Sequence, residues 1–143
     1  MKTNAITVET IVKAPIAKVW EYWTEPEHII HWAFASDDWE APAAENDLRV
    51  GGRFKTTMAA KDKSASFDLA GTYTDVKEHE LIEYDMDDLE GQGIRHVKVE
   101  FVELPEGVKV TVTFDPENIN PEEMQRSGWQ AISDNFKKYV ENS

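Results

Sequence analysis

Cysteine is absent from the 143 residues, which removes disulfides, thiolate metal sites and thiol nucleophiles together and fits a reducing compartment. Basic residues are scarce. The 15 Lys and Arg stand against 28 Asp and Glu, a formal net charge of −13, and such a field repels phosphate backbones and anionic head groups. Nucleic acid is therefore not an expected partner. No apolar run approaches the roughly 18 residues that span a bilayer, and the segment Met1 to Glu9 is polar and charged rather than signal-like. Membrane insertion is not expected and a cytoplasmic location is. Nucleophile and phosphate signatures are missing too. Ser127-Gly128 is not part of a G-x-S-x-G element, and Gly51-Gly52 lacks the downstream Lys and Ser/Thr of a phosphate loop. Covalent hydrolysis has no support in these residues, and no cofactor is expected.

What is present is patterned. Ile6, Val8 and Val12 alternate with polar neighbours and predict a strand over about Ala5 to Ala14. Pro15 stands at the first position of a predicted helix, with Ile16, Val19, Trp20 and Trp23 at i, i+3, i+4, i+7. Thr24 and Glu27 form a capping-box pattern for a second short helix through Ile29, Ile30 and Trp32. Residues Ala35 to Asp47, polar and containing Pro42, read as a loop; Leu48 and Val50 resume an extended pattern, and Gly51-Gly52 reads as a bulge or bend. Strands follow at Arg53 to Ala60, Ser66 to Lys77, Glu80 to Asp87, Ile94 to Leu104 and Val108 to Phe114, with separations short enough to imply antiparallel hairpins. Asn120 as N-cap, Pro121 and Glu123 open a last helix, whose stripe reads Met124, Gly128, Trp129, Ile132, Phe136, Tyr139 and Val140. All these faces are buried together if a six-stranded curved antiparallel sheet packs one side on that helix, an α+β arrangement over one domain, residues 1–143.

Several residues match a known family. Ala14-Pro15 with Val19-Trp20, Trp23-Thr24, Pro26 and Trp32, then Gly51-Gly52-Arg53-Phe54, Gly71-Thr72-Tyr73 and Gly128-Trp129, together resemble the START-like SRPBCC superfamily. The branch is the one named after the C-terminal domain of the activator of heat-shock protein 90 ATPase. The likeness runs from about Thr7 to Glu141. It implies the helix-grip fold, in which the sheet wraps the C-terminal helix around a cavity, with the two short helices after the first strand. Members of the superfamily bind lipids, hormones or polyketides, and some are cyclases or hydrolases. The eukaryotic activators carry an additional N-terminal domain for which 143 residues leave no room, so ATPase activation is not the expected role.

Strand parity sends Met58, Phe67, Tyr73, Tyr84, Val97, Val99 and Phe101 inward, with Thr10, Asp75 and Arg95 as polar exceptions, while Gly128, Ile132, Gln125 and Asn135 lie along the helix's buried stripe. Apolar walls with a few convergent polar groups are how small-molecule sites are built. The candidate ligand-binding set is therefore Tyr73, Tyr84, Arg95, Phe67, Met58, Val99, Gly128, Ile132 and Asn135. In it Arg95 with Tyr73, Tyr84 and Asn135 would orient an anionic or carbonyl-bearing molecule. Two plainer roles stand beside this for Arg95: pairing with Asp75, or solvent exposure after a strand bulge that reverses parity.

The five tryptophans, Trp20, Trp23, Trp32, Trp39 and Trp129, are candidates to line a cavity mouth; core packing also explains Trp20, Trp23 and Trp129, whereas Trp39, among Asp37, Asp38 and Glu40, fits a lid or a partner contact. His28 and His31 with Asp37 and Asp38 offer two imidazoles and a carboxylate of the kind zinc takes. The remaining histidines, His79 and His96, are not locally spaced, so a surface role is the plainer one and no metal is expected. Asp85, Asp87, Asp88 and Glu90 lack calcium-loop spacing and read as a solvated acidic hairpin. The functional expectation is non-covalent binding of a small hydrophobic or amphipathic molecule. A cyclase or hydratase using the same cavity, and a chaperone cofactor or protein-interaction module, are the alternatives.

Overall fold

The computed structural model describes residues 5–87, 93–118 and 120–143. Strand β1 (Ile6–Val12) alternates buried and exposed along its whole length, as its sequence period requires. Helices α1 (Ile16–Thr24) and α2 (Pro26–Ile29) follow. Strands β2 (Trp39–Asn46), β3 (Arg53–Ala60), β4 (Ser66–Lys77), β5 (Leu81–Met86), β6 (Arg95–Leu104) and β7 (Gly107–Phe114) lead to α3 (Glu122–Glu141). All strand pairs are antiparallel, in the order β1-β7-β6-β5-β4-β3-β2. The α+β helix-grip arrangement is as expected, with seven strands rather than six.

The extra strand is β2, in the segment expected to be a loop. Its sequence, WEAPAAEN, has no β-branched residue and carries Pro42, and a register shift between Glu40 and Ala43 breaks its alternation. Pro42 is tolerated because β2 lies at the sheet edge. Strand formation here comes from backbone pairing with β3, which side-chain pattern does not report. Two caps also differ from expectation. Thr24 donates its hydroxyl back to the Trp20 carbonyl at 2.8 Å instead of capping α2, and Glu25 stands at the N-cap. At α3 the N-cap is Pro121, while Asn120 donates backward to the Glu117 carboxylate. Leu48 and Val50 lie in the turn before β3, where Gly51 takes φ +84°, a conformation that suits glycine.

Helix α3 is fixed to the sheet in two ways. Phe136 and Val140 are fully buried in the core, and Phe136 meets the rings of Trp23 and Trp32 edge-on at 4.8 and 4.9 Å. Along β1, the outward carbonyls of Thr7, Glu9 and Ile11 accept hydrogen bonds from Arg126, Gln130 and Lys137 of α3. An exposed strand edge is thereby covered. The same contacts set the height of α3 over the sheet.

The outer face of the sheet is polar. His96 lies there between Asp85, 2.7 Å from Nδ1, and Glu83, 2.9 Å from Nε2. Burial lowers an imidazole's pKa, but here the two carboxylates outweigh it and raise it above the usual 6.5. A raised folded-state pKa contributes stability that is complete below the unfolded value and is lost as pH rises through the folded one. The melting-temperature deficit of His96→Gln is therefore expected to be larger near pH ~5.5 than near pH ~8.5. Equal deficits in thermal unfolding at both would contradict it. Of the acidic hairpin, Asp87 pairs with Arg53 at 2.6 Å; Asp88 and Glu90 lie outside the described residues.

Candidate functional site

Between the concave face of the sheet and α3 lie two adjoining cavities. The inner one, about 120 Å³, is roofed by Trp23, Ile29, Trp32 and Ala33 of the helical insert. Its sheet walls come from strands as far apart as β3 and β7: Phe54, Thr56, Met58, Leu69, Tyr73, Ile82, Tyr84 and Val112, with Trp129, Ile132 and Ser133 from α3. The outer one, about 360 Å³, is bounded by Phe34, Trp39, Phe67, Arg95, Glu117, Met124, Gln125 and Gly128 among others. Met58, Leu69, Trp129 and Ile132 line both. These four side chains are the partition.

Local structure explains the shape. Gly71 pairs with Phe54, and a Cβ there would come within 2.4 Å of the Asp85 carbonyl and 2.9 Å of the Phe54 ring; the glycine lets that ring lie flat against the sheet. Trp129 is held by stacking on Phe114 at 4.1 Å. At Gly128 an added Cβ would meet nothing within 4 Å, so its missing side chain leaves the outer cavity open against α3. Gln125, buried, ties down the segment before the helix by donating to the Glu117 and Asn120 carbonyls and accepting from the Glu117 amide.

The polar groups inside are of two kinds. Tyr73 donates to Asn46 Oδ1 at 2.5 Å, and Asn46 donates to the Thr24 carbonyl at 2.6 Å, a chain joining β4, β2 and α1. Thr56, Tyr84 and Ser133 make no side-chain hydrogen bond among the described residues, and none of their hydroxyls is sealed away from all accessible space. They open on the cavity. Burial raises the pKa of both Tyr73 and Tyr84, with the Asn46 hydrogen bond opposing it at Tyr73 and the Arg95 charge opposing it at Tyr84. Both phenols are neutral donors at any physiological pH. Tyr73→Phe is expected to cost about 1 kcal/mol or more by leaving Asn46 short of a donor, and Tyr84→Phe to be close to neutral. Urea midpoints measure both, and equal losses would show that Tyr84 has a protein partner.

The match that decides the family covers residues 13–141, on the model described as activator of Hsp90 ATPase homolog 1-like protein. The chain belongs to this family. An AHSA1-like protein from Aeromonas hydrophila, solved in solution, is 43% identical over 96% of this chain and 92% of that one, with a TM-score of 0.87. A protein from Cytophaga hutchinsonii, also solved in solution, is 52% identical over 97% and 93%, with a TM-score of 0.80. A Chromobacterium violaceum protein at 22% identity, covering 98% and 99% with a TM-score of 0.86, shares the fold. No curated protein matches the chain.

Within this family member, the residues singled out from sequence fall in three places. Met58, Tyr73, Tyr84 and Ile132 line the inner cavity, and Arg95, Phe67 and Gly128 the outer, where Met58 and Ile132 recur. Val99 is fully buried in the core and lines neither. Asn135 donates to the Phe34 carbonyl at 2.5 Å, bracing the rim rather than facing the cavities. Asp75 is turned away: a bulge between Tyr73 and Asp75 sets it opposite Glu83 and puts Val76 opposite buried Ile82. Arg95 pairs neither with Asp75 nor with any other described residue.

Trp39 begins β2 and leans on Phe67 at 5.8 Å at the outer cavity, so it is a wall fixed by strand pairing and not a loop lid. His28 shares a hydrogen bond with Tyr139 at 2.8 Å and stacks on Tyr22 at 3.8 Å, and His31 stacks on Tyr139. His28, on α2, and His31, in the turn after it, both pack on Tyr139 of α3. Asn46 and Ser133 escaped the sequence reading, whereas Trp32, read there on the second short helix, lines the inner cavity. Ser133 stands four residues after Trp129 and was open to helical spacing; Asn46 lay in the unrecognised strand.

Proposed function

We propose that the chain binds a small hydrophobic or amphipathic molecule, non-covalently, in the space between the sheet and α3. The observation that carries this is the paired cavity itself: apolar walls from both the sheet and the helix, with hydroxyls and one guanidinium that have no side-chain partner among the described residues. The volumes suit a ligand of modest size that enters by the wider outer cavity and displaces the partition side chains to reach the inner one. Acid–base chemistry has less support, because among the described residues no histidine lines either cavity and the lining carboxylates are Glu45, exposed, and Glu117, at the mouth.

Among the described residues no helix is long and apolar enough to cross a membrane. A cytoplasmic site of action fits the lack of cysteine. Titration with fatty acids, flavonoids and polyketide-like aromatics, followed by backbone amide shifts, tests the proposal. Saturable shifts are expected at β3, β4 and α3. Their absence for every class would refute it.

A further inference from the structure

We infer that the bound molecule is a monoanion with an apolar body, a carboxylate held by Arg95 in the outer cavity while its tail passes the partition into the inner one. This rests on the cavity-binding reading and specifies its ligand. The chain has four arginines. Three are engaged: Arg49 with Asp47 at 2.9 Å, Arg53 with Asp87 at 2.6 Å, and Arg126 with Glu123 at 3.7 Å and the Thr7 carbonyl at 2.9 Å. Arg95 has neither ion pair nor hydrogen bond among the described residues, although acids outnumber bases by 28 to 15. Among the described residues it is also the one cationic side chain lining either cavity.

Position explains why none of the described carboxylates of β4 and β5 pairs with it. Arg95 pairs with Met86 and shares parity with buried Val97 and Val99, so its side chain leaves the sheet on the concave side. The acids of β5, Glu83 and Asp85, are on the opposite face around His96, and the Tyr73–Asp75 bulge sends Asp75 there too. Glu117, the one carboxylate among the described residues along the outer cavity, accepts two hydrogen bonds from Asn120 through Oε1 and makes no ion pair with Arg95. A half-buried guanidinium with free donors is best satisfied by an acceptor pair such as a carboxylate. Tyr84 is diagonal to Arg95 across the strand pair, since it faces Val97, but it lines the inner cavity, on the path of the tail. Beyond them the walls are Leu69, Ile132, Ile82 and Val112, which suit an alkyl or aryl tail.

The test uses the full chain and two probes of equal length, decanoate and 1-decanol, titrated by calorimetry. Decanoate is expected to bind about ten- to a hundredfold more tightly. Arg95→Gln is expected to abolish that preference while leaving decanol affinity within about twofold, and Arg95→Lys to restore part of it. A matched amide spectrum for the variants establishes that they fold. Equal binding of both probes to the unmodified chain, or a preference that survives Arg95→Gln, overturns the anion assignment while leaving the cavity reading standing. No saturable binding of either probe overturns both.

Discussion

Replacing Phe136 with alanine is expected to lower the unfolding free energy by about 3–5 kcal/mol. The ring is fully buried at the point where α3, α1 and the turn after α2 meet, edge-on to Trp23 and Trp32. Removing it takes away its own transfer free energy and leaves a void that two tryptophans, each held by other contacts, cannot close. Trp32 is fastened by its indole N–H to the Tyr22 carbonyl at 2.9 Å, and Trp23 packs on Phe101 at 6.0 Å. Against a typical total of about 5–15 kcal/mol, this is a large share. Urea unfolding should show a lowered midpoint with an unchanged slope. A loss under about 1 kcal/mol would show that α3 is not anchored at this residue.

Gly128→Leu is expected to move stability and binding in opposite directions. Glycine inside a helix costs about 0.8–1.0 kcal/mol relative to alanine and leucine is nearly as good a helix former, and the space beside Gly128 is open. Stability should therefore hold or rise. The new side chain would fill the outer cavity in front of Arg95, so ligand affinity should fall at least about tenfold. That combination cannot be produced by misfolding. An unfolding curve and a titration on one preparation measure it, and undiminished affinity would place the ligand elsewhere.

The sequence was most legible where one period governed a whole element. Ile6, Val8 and Val12, or Val108, Val110 and Val112, announce their buried face by alternation alone, and the helical spacing of Trp129, Ile132 and Phe136 announces α3. It was least legible where backbone pairing or a local bulge decides. β2 forms from alanines, a proline and two glutamates because β3 offers it an edge, and the bulge after Tyr73 reverses Asp75 with no special residue to mark it. The site shares this division. Met58, Tyr73 and Tyr84 follow from parity, but Val99, on the same inward face, is packed too tightly to line a cavity, and Asn135 is taken by the Phe34 carbonyl. Parity gives the face of a residue; it does not tell whether the space in front of it is filled.

The central claim is that the ligand sits between sheet and helix. Intermolecular nuclear Overhauser contacts between a bound fatty acid and the methyl groups of the protein test it most directly. Contacts to Leu69 and Val112 on the sheet and to Ile132 on α3, all from one ligand, are the predicted result. Contacts confined to the exposed side chains Val50, Ile94 and Val102 would contradict it.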